Sequence, residues 1–498
     1  MEKNSASEQA SLTSLCILLI VFLCLPLLVS MWKPIPYVIE RFTPDDAYYY
    51  LNTALNIARG YGSTFDRINF TNGYHPLWML ILIPIYSLVG GVEEPLRIVL
   101  TLQVIMLSLS MWLSFDVMKR FVSKPLSIIA PMLVYAFVGL AGFYALESHL
   151  LVLLSLLAVR FSVSRHIVFE SQKVSIDDVL FALLLSLVTL SRLDSVFIFI
   201  SYIAVLVFQR NRLSIAKLLT VTVAYAVLLV PYLIWNYVHF GHLMPISGAL
   251  KSAFPNVVFI PRHLLIKPVL VRMAIPLVLS IAYMIMYGAV KVKFKGLHLP
   301  LLTFNLYVLL HACYSAFLQD WGVFPWYFAL PLAIASLNIP LLLSLLQRSH
   351  LLDACIVVLC ALLVAIAMSK LFLPSRHAGL RTLYKQAMWL KANTEPDAVC
   401  IAEDAGIIGY FSQRRVINLD GLINSYEYQE YLLHGRFIDY IRDKGVRYFI
   451  ATRGMPQPNK PFHYEAYSHL YNVSGGSIEL KHEWRIDGAP IPTWKIGR

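Results

Sequence analysis

Apolar residues fall in runs of membrane length along most of the chain. The first spans Leu12 to Trp32, and about eleven more follow before residue 371. A hydrocarbon core about 30 Å thick needs ~20 such residues per helix, so each run predicts a membrane helix. Beyond residue 372 the pattern changes. Tyr384 to Ala392 is helix-periodic, Ala398 to Ala402 and Arg415 to Leu419 read as short buried strands, and Gly406 to Phe411 as a short helix between them. Phe437 to Lys444 reads as another helix and Val446 to Ala451 as a third strand, with Ile478 to Trp484 and Thr493 to Ile496 as edge strands. Strand–helix alternation favours a parallel sheet. The pattern therefore predicts a mainly α, polytopic bundle of about 11–12 hydrophobic helices over residues 1–372, and a small α/β domain over residues 373–498.

Composition agrees: 58% of residues are hydrophobic and 14% are charged, against about 25% charged in soluble domains. The net charge of +12 sits mostly in short loops, where it sets orientation rather than binding nucleic acid. The basic connections are Lys119 to Lys124, Arg160 to Lys173, Arg210 to Lys217, Lys291 to Lys295, and Arg348 with His350. With these and the N-terminus cytoplasmic, the alternate connections and the whole tail fall outside. One parity conflict follows, because segments 75–92 and 96–119 can together cross only once. The expectation is that 75–92 is re-entrant or lies along the interface. The six cysteines show no disulfide framework or zinc spacing.

Chemistry-bearing residues collect at the outer mouths. The first external loop, residues 33–74, carries Thr43-Pro44-Asp45-Asp46 before Ala47-Tyr48-Tyr49-Tyr50. Adjacent carboxylates at a membrane mouth are costly and point to chemistry. The plainer reading makes Thr43 a helix cap, Pro44 the first helical residue and the acids a first turn. Asp46 points about 100° round the helix from Asp45, so the two cannot share one role. Tyr48 and its neighbours are interface anchors or a face for stacking a sugar. Thr71-Asn72-Gly73-Tyr74-His75-Pro76 is a turn that delivers His75 to the next apolar segment. Glu147 interrupts an apolar stretch at an outer turn, and Arg192 with Asp194 occupies another, where an internal ion pair accounts for Asp194. Lys251 and Arg262 lie in a basic external loop that lacks carboxylates, which suits recruitment of an anion. Trp326 and Tyr327 follow Pro325 at a further outer helix start. Rings of like charge expected of a channel and the broken inverted repeat of a transporter are not found.

At these residues the chain resembles the C-class, multi-pass glycosyltransferases that use polyprenyl-phosphate sugars, closest to the branch of protein O-mannosyltransferases and lipid A aminoarabinose transferases. Asp45-Asp46-Ala47-Tyr48 matches that branch's acid pair, Pro76-Leu77 its Pro-Leu, and Glu147 its second-loop acid. The chain is also similar to prokaryotic membrane proteins with Thr-Asn-Gly-Tyr-His-Pro-Leu and a tail like Asp404-Ala405-Gly406 and Asp420-Gly421. The resemblance implies transfer of a sugar from a polyprenyl-phosphate donor to a glycan, lipid or protein acceptor on the non-cytoplasmic face of the cell membrane. It puts the general base on Asp45. Asp46 either holds a divalent metal with Glu147 and His75 or orients the loop; no cofactor is implied with certainty. Arg192, Lys251 or Arg262 would meet the phosphate, and the tail would recognise the acceptor without taking part in the chemistry. The alternatives are a flippase or transporter of a lipid-linked sugar, or a non-catalytic factor in envelope assembly.

Overall fold

The computed structural model describes residues 2–139, 144–165, 167–209, 214–258, 267–346, 349–369, 371–373, 378–454 and 460–496. Each of the twelve apolar runs carries a helix. Six are long and apolar enough to cross a membrane: Ala10–Met31, Glu93–Met118, Ile215–Phe240, His298–Phe317, Pro325–Leu343 and Leu352–Ser369. A seventh candidate is the pair Val269–Ile285 and Tyr287–Lys293, bent by 73°. The chain is an integral membrane protein. The segment expected to be re-entrant forms a helix of only 13 residues, Pro76–Leu88, about 20 Å long and too short to cross alone.

The tail sheet has the order β2 (Arg415–Asn418), β1 (Val399–Ala402), β3 (Tyr448–Ile450), β6 (Thr493–Lys495). The first three are parallel and β6 joins antiparallel at the edge. The expected strand at Ile478 to Trp484 instead begins earlier, as β5 (Val473–Leu480), and pairs with β4 (Phe462–Ser468) in a separate hairpin. Residues 482–484 turn into a short 3-10 helix. A helix at Tyr426–Leu433 was not anticipated; Ser425 caps it by accepting from the Tyr428 N–H at 3.1 Å.

Side chains alternate between the faces of a strand, and here the alternation divides the tail's apolar residues between two cores. Val399 and Ile401 of β1 pack with Ile417, Phe449 and Trp494 in a core confined largely to the tail. Cys400 and Ala402, one residue out of phase, join a core that continues through Ile407, Tyr410 and Phe411 into Tyr48, Leu51 and Tyr86 of the membrane module. A parallel sheet needs both faces covered. On one face the helix Gly406–Ser412 packs on both β2 and the helix Ala47–Ala58, joining the sheet to the first external loop.

Candidate functional site

The acid pair does not sit in a helix's first turn as anticipated. The helix that follows is Ala47–Ala58, with Asp46 at its N-cap position and no side-chain capping bond. The Thr43 hydroxyl instead meets the Tyr48 hydroxyl at 2.9 Å. Tyr48, Tyr49 and Tyr50 are all buried, so none of them is an interface anchor. Tyr48 faces Tyr410 and Phe411 of the tail at ring distances of 5.3 and 5.5 Å. Tyr49 and Tyr50 turn towards a cleft.

That cleft gathers most of the sequence-predicted residues. Asp46, Tyr49, Tyr50, Gly73, His75, Leu146, Glu147, Arg192, Ser247, Lys251, Trp326, Tyr327 and Leu422 line it. Asp45 and Tyr48 are not among the lining residues, and Arg262 lies outside the described residues. Sequence reasoning named Gly73 only as part of a turn and passed over Leu146, Ser247 and Leu422. The turn signals Asn72-Gly73 and Asp420-Gly421 stood beside two of these.

Local structure explains how each group arrives. The Asn72 amide bonds to Asn236 Oδ1 at 3.1 Å and accepts from the Ile246 N–H at 3.0 Å, which ties the His75 turn to the helix Ile246–Lys251 that carries Lys251. His75 is the N-cap residue of Pro76–Leu88. Its Nδ1 lies 3.3 Å from the Leu193 N–H; accepting that bond leaves the proton of the neutral ring on Nε2, which faces Glu147 Oε1 at 3.8 Å. Burial, only partly offset by the Glu147 carboxylate, lowers the His75 pKa to about 4, so the ring is neutral at physiological pH.

Each of the three Arg192 nitrogens donates to a carboxylate. Nη1 reaches Glu147 Oε1 at 2.6 Å, while Nε and Nη2 bond to the two Asp194 oxygens at 2.9 and 3.0 Å. Its guanidinium lies 4.5 Å from the Tyr327 ring centre. The anticipated Arg192–Asp194 pair therefore forms, with Glu147 as a third member. Glu147 is buried, with the Tyr50 hydroxyl beside it. Lys251 differs: among the described residues it makes no ion pair, and its ammonium sits 5.5 Å from the Tyr327 ring centre. Burial opposes its charge, but Tyr327 and Asp46 hold its pKa above the usual value. Asp46 is pushed up by burial first and pulled down by Lys251. Acid and ammonium thus act on each other across the cleft without a direct bond.

Asp45 has a different environment. Its Oδ2 accepts the Gly406 N–H at 3.0 Å and its Oδ1 the Ile407 N–H at 2.7 Å. These open the tail helix Gly406–Ser412. Burial, then the Asp404 carboxylate, push Asp45 up to about 8, while the two N–H donors pull the other way. Asp404 and Asp420 both pair with Arg453, at 2.7 and 3.0 Å, and bring the carboxyl ends of β1, β2 and β3 together. Asn424 is structural: its amide bonds to the Asn418 carbonyl at 3.0 Å. The chain has two Asn-x-Ser/Thr sequons that are glycosylation acceptors in a suitable host, Asn69-Phe70-Thr71 and Asn472-Val473-Ser474: Asn472 is exposed, whereas Asn69 is buried with its amide on Asp66 at 2.7 Å and is closed to modification.

A shared metal does not fit this arrangement. Among the described residues no three His, Cys, Asp or Glu side chains stand close enough to hold one ion. His75 Nδ1 already accepts a main-chain bond and Glu147 Oε1 an Arg192 bond.

A family model described as a domain of unknown function, DUF8728, matches residues 375–489. No curated protein sequence matches the chain significantly. Two solved structures are similar over most of the molecule. One is the oligosaccharyltransferase of Archaeoglobus fulgidus in complex with zinc and sulfate, with 13% identity and a TM-score of 0.51 over 88% of this chain and 67% of that one. The other is ArnT from Cupriavidus metallidurans bound to undecaprenyl phosphate, with 11% identity and a TM-score of 0.52 over 82% of this chain and 86% of that one. Both are GT-C glycosyltransferases, and the chain has a GT-C-like fold.

Proposed function

We propose that this protein is a membrane glycosyltransferase that moves a sugar from a polyprenyl-phosphate donor to an acceptor hydroxyl in the cleft around Asp46. One observation carries the reading: in a chain with this fold, Asp46 and Lys251 face each other in a cleft lined by Tyr49, Tyr50, Trp326 and Tyr327. Displacement at an anomeric carbon needs a base on the incoming hydroxyl and a positive group on the departing phosphate. Asp46 takes the hydroxyl proton, the acceptor oxygen bonds to the anomeric carbon, and the bond to the phosphate oxygen breaks. Lys251 meets the charge left on the polyprenyl phosphate. Its ammonium has no carboxylate partner among the described residues, whereas the charge of Arg192 is already paired with Glu147 and Asp194. The aromatic walls offer faces on which a sugar ring stacks.

The base role falls on Asp46 rather than on Asp45, because both Asp45 oxygens accept main-chain N–H groups and Asp45 does not line the cleft. The reading places the tail and the cleft on the non-cytoplasmic face, as the loop charges suggest. No step passes through a metal.

The test uses purified protein in nanodiscs with radiolabelled polyprenyl-phosphate sugars and a panel of glycan, lipid and peptide acceptors. Acceptor-dependent release of free polyprenyl phosphate supports the proposal. Movement of the intact lipid between leaflets without release identifies a flippase, and neither outcome with any donor leaves an assembly role; either would overturn the proposal.

A further inference from the structure

We infer that Asp45 is a positioning residue: it caps the tail helix Gly406–Ser412 from the membrane module and so seats the tail against the cleft. The inference rests on the proposed transfer reaction only for its activity measurement; its structural measurement stands alone.

The Gly406–Ser412 helix has no cap of its own. Its N-cap residue is Ala405, with no side-chain bond. The first N–H groups of a helix lack partners inside it and need an acceptor from elsewhere. Asp45, 361 residues away in sequence, provides one oxygen to each of two such groups. This is the bond a Ser, Asn or Asp at an N-cap normally makes, here made between two modules. The fit leaves no slack: a Cβ on Gly406 would stand closer than 3.0 Å to the Asp45 main-chain oxygen and its Oδ2. The Asp404-Ala405-Gly406 and Asp45-Asp46 motifs, far apart in the chain, are thus two halves of one joint.

The same face repeats the arrangement. A Cβ on Gly73 would overlap the Leu422 carbonyl oxygen; Gly73 and Leu422 both line the cleft. Asn418, the last residue of β2, donates to the Tyr49 hydroxyl at 3.2 Å. The Tyr410 hydroxyl meets that of Tyr86 at 2.7 Å, and Arg67 donates to the Gln413 carbonyl at 2.8 Å. Every residue of the docked helix is buried. Asp46 is bonded directly to Asp45 in the chain, so the joint that fixes one carboxylate also fixes the backbone that aims the other. The tail therefore completes the cleft and holds its acid in place.

Three substitutions at Asp45 and one at Gly406 separate this role from that of a base. Asn and Ser each keep one acceptor oxygen and so one of the two N–H bonds, whereas Ala keeps neither; none of the three takes up a proton as a carboxylate does. Asp45→Asn, Asp45→Ser, Asp45→Ala and Gly406→Ala are made in the full-length protein. Each is followed by amide hydrogen exchange over residues 406–412 and by kcat and acceptor KM.

Asp45→Asn and Asp45→Ser, which keep one of the two bonds, are expected to accelerate exchange less than Asp45→Ala and to keep kcat within about tenfold. Asp45→Ala should accelerate exchange roughly tenfold, the size of a lost cap, and raise acceptor KM with it. Gly406→Ala, which leaves both carboxylates chemically intact, should behave like Asp45→Ala. Equal loss of kcat by 10² or more in Asn, Ser and Ala, with exchange unchanged, would make Asp45 the base and overturn the inference. Unchanged exchange in both Asp45→Ala and Gly406→Ala would also overturn it. If wild-type protein transfers no sugar at all, the proposed function fails while the exchange result still decides the capping role.

Discussion

Replacing Arg192 by Ala removes the centre of a buried three-residue ion network and strands the acids around it. Arg192 and Glu147 are 6% and 2% exposed at a separation of 2.6 Å. Once the guanidinium is gone, Asp194 keeps His311 at 3.7 Å, whereas Glu147 keeps the neutral groups His75, at 3.8 Å, and Tyr50. Removing one partner of a buried pair costs about 3–5 kcal/mol, because the other charge stays buried without compensation. Most of that penalty belongs to Glu147, so Glu147→Gln in the Arg192→Ala background should restore about 2 kcal/mol or more. Reversible unfolding in mixed micelles, run as a double-mutant cycle, measures both numbers. An Arg192→Ala protein within about 0.5 kcal/mol of wild type, or a double mutant whose losses simply add, would refute the view that Arg192 acts as the counter-charge of Glu147.

Other expectations follow from the same geometry. Lys251→Gln should weaken polyprenyl-phosphate binding about tenfold, the size of one lost charged hydrogen bond, without lowering stability; unchanged affinity by titration calorimetry would remove Lys251 from the phosphate role. His75 has a folded pKa of about 4 against 6.5 unfolded, so its contribution is complete above pH 6.5 and is lost as pH falls towards 4. The loss is about 3 kcal/mol at 1.36 kcal/mol per unit. His75→Gln should flatten that part of the stability–pH curve, and an unaltered slope would contradict it. Gly73→Ala should push Leu422 away and destabilise the tail contact by about 1–3 kcal/mol, as overpacking does, read as faster hydrogen exchange across residues 420–424.

Hydropathy made the twelve helices legible, because a membrane helix is specified locally by an apolar run of fixed length. The tail's β1, β2, β3 and their helices were legible for the same reason: turn residues and short buried runs alternate at strand and helix lengths. The β4–β5 hairpin was less so, since its strands alternate exposed and buried residues and carry no continuous apolar run. The cleft was visible as a set of residues, Asp46, His75, Glu147, Arg192 and Lys251, because ionisable groups are rare at membrane mouths. The division between Asp45 and Asp46 was hidden. Helical geometry showed that they point apart, but which of them meets Gly406 depends on a contact 361 residues distant, and no local pattern encodes that. The burial of Tyr48 was hidden for a related reason: an aromatic run beside a membrane reads as interface anchors or a sugar-stacking face until the tail that buries it is in place.

The central claim is that Asp46 is the base of a sugar-transfer site, and single-turnover transfer by Asp46→Asn tests it most directly. Donor pre-bound to wild type and to the variant is mixed with acceptor, and release of polyprenyl phosphate is followed in time. The account predicts that the variant binds donor as wild type does and releases it at least about 10² times more slowly, the range of a lost general base. Release at near wild-type rate by Asp46→Asn would contradict it.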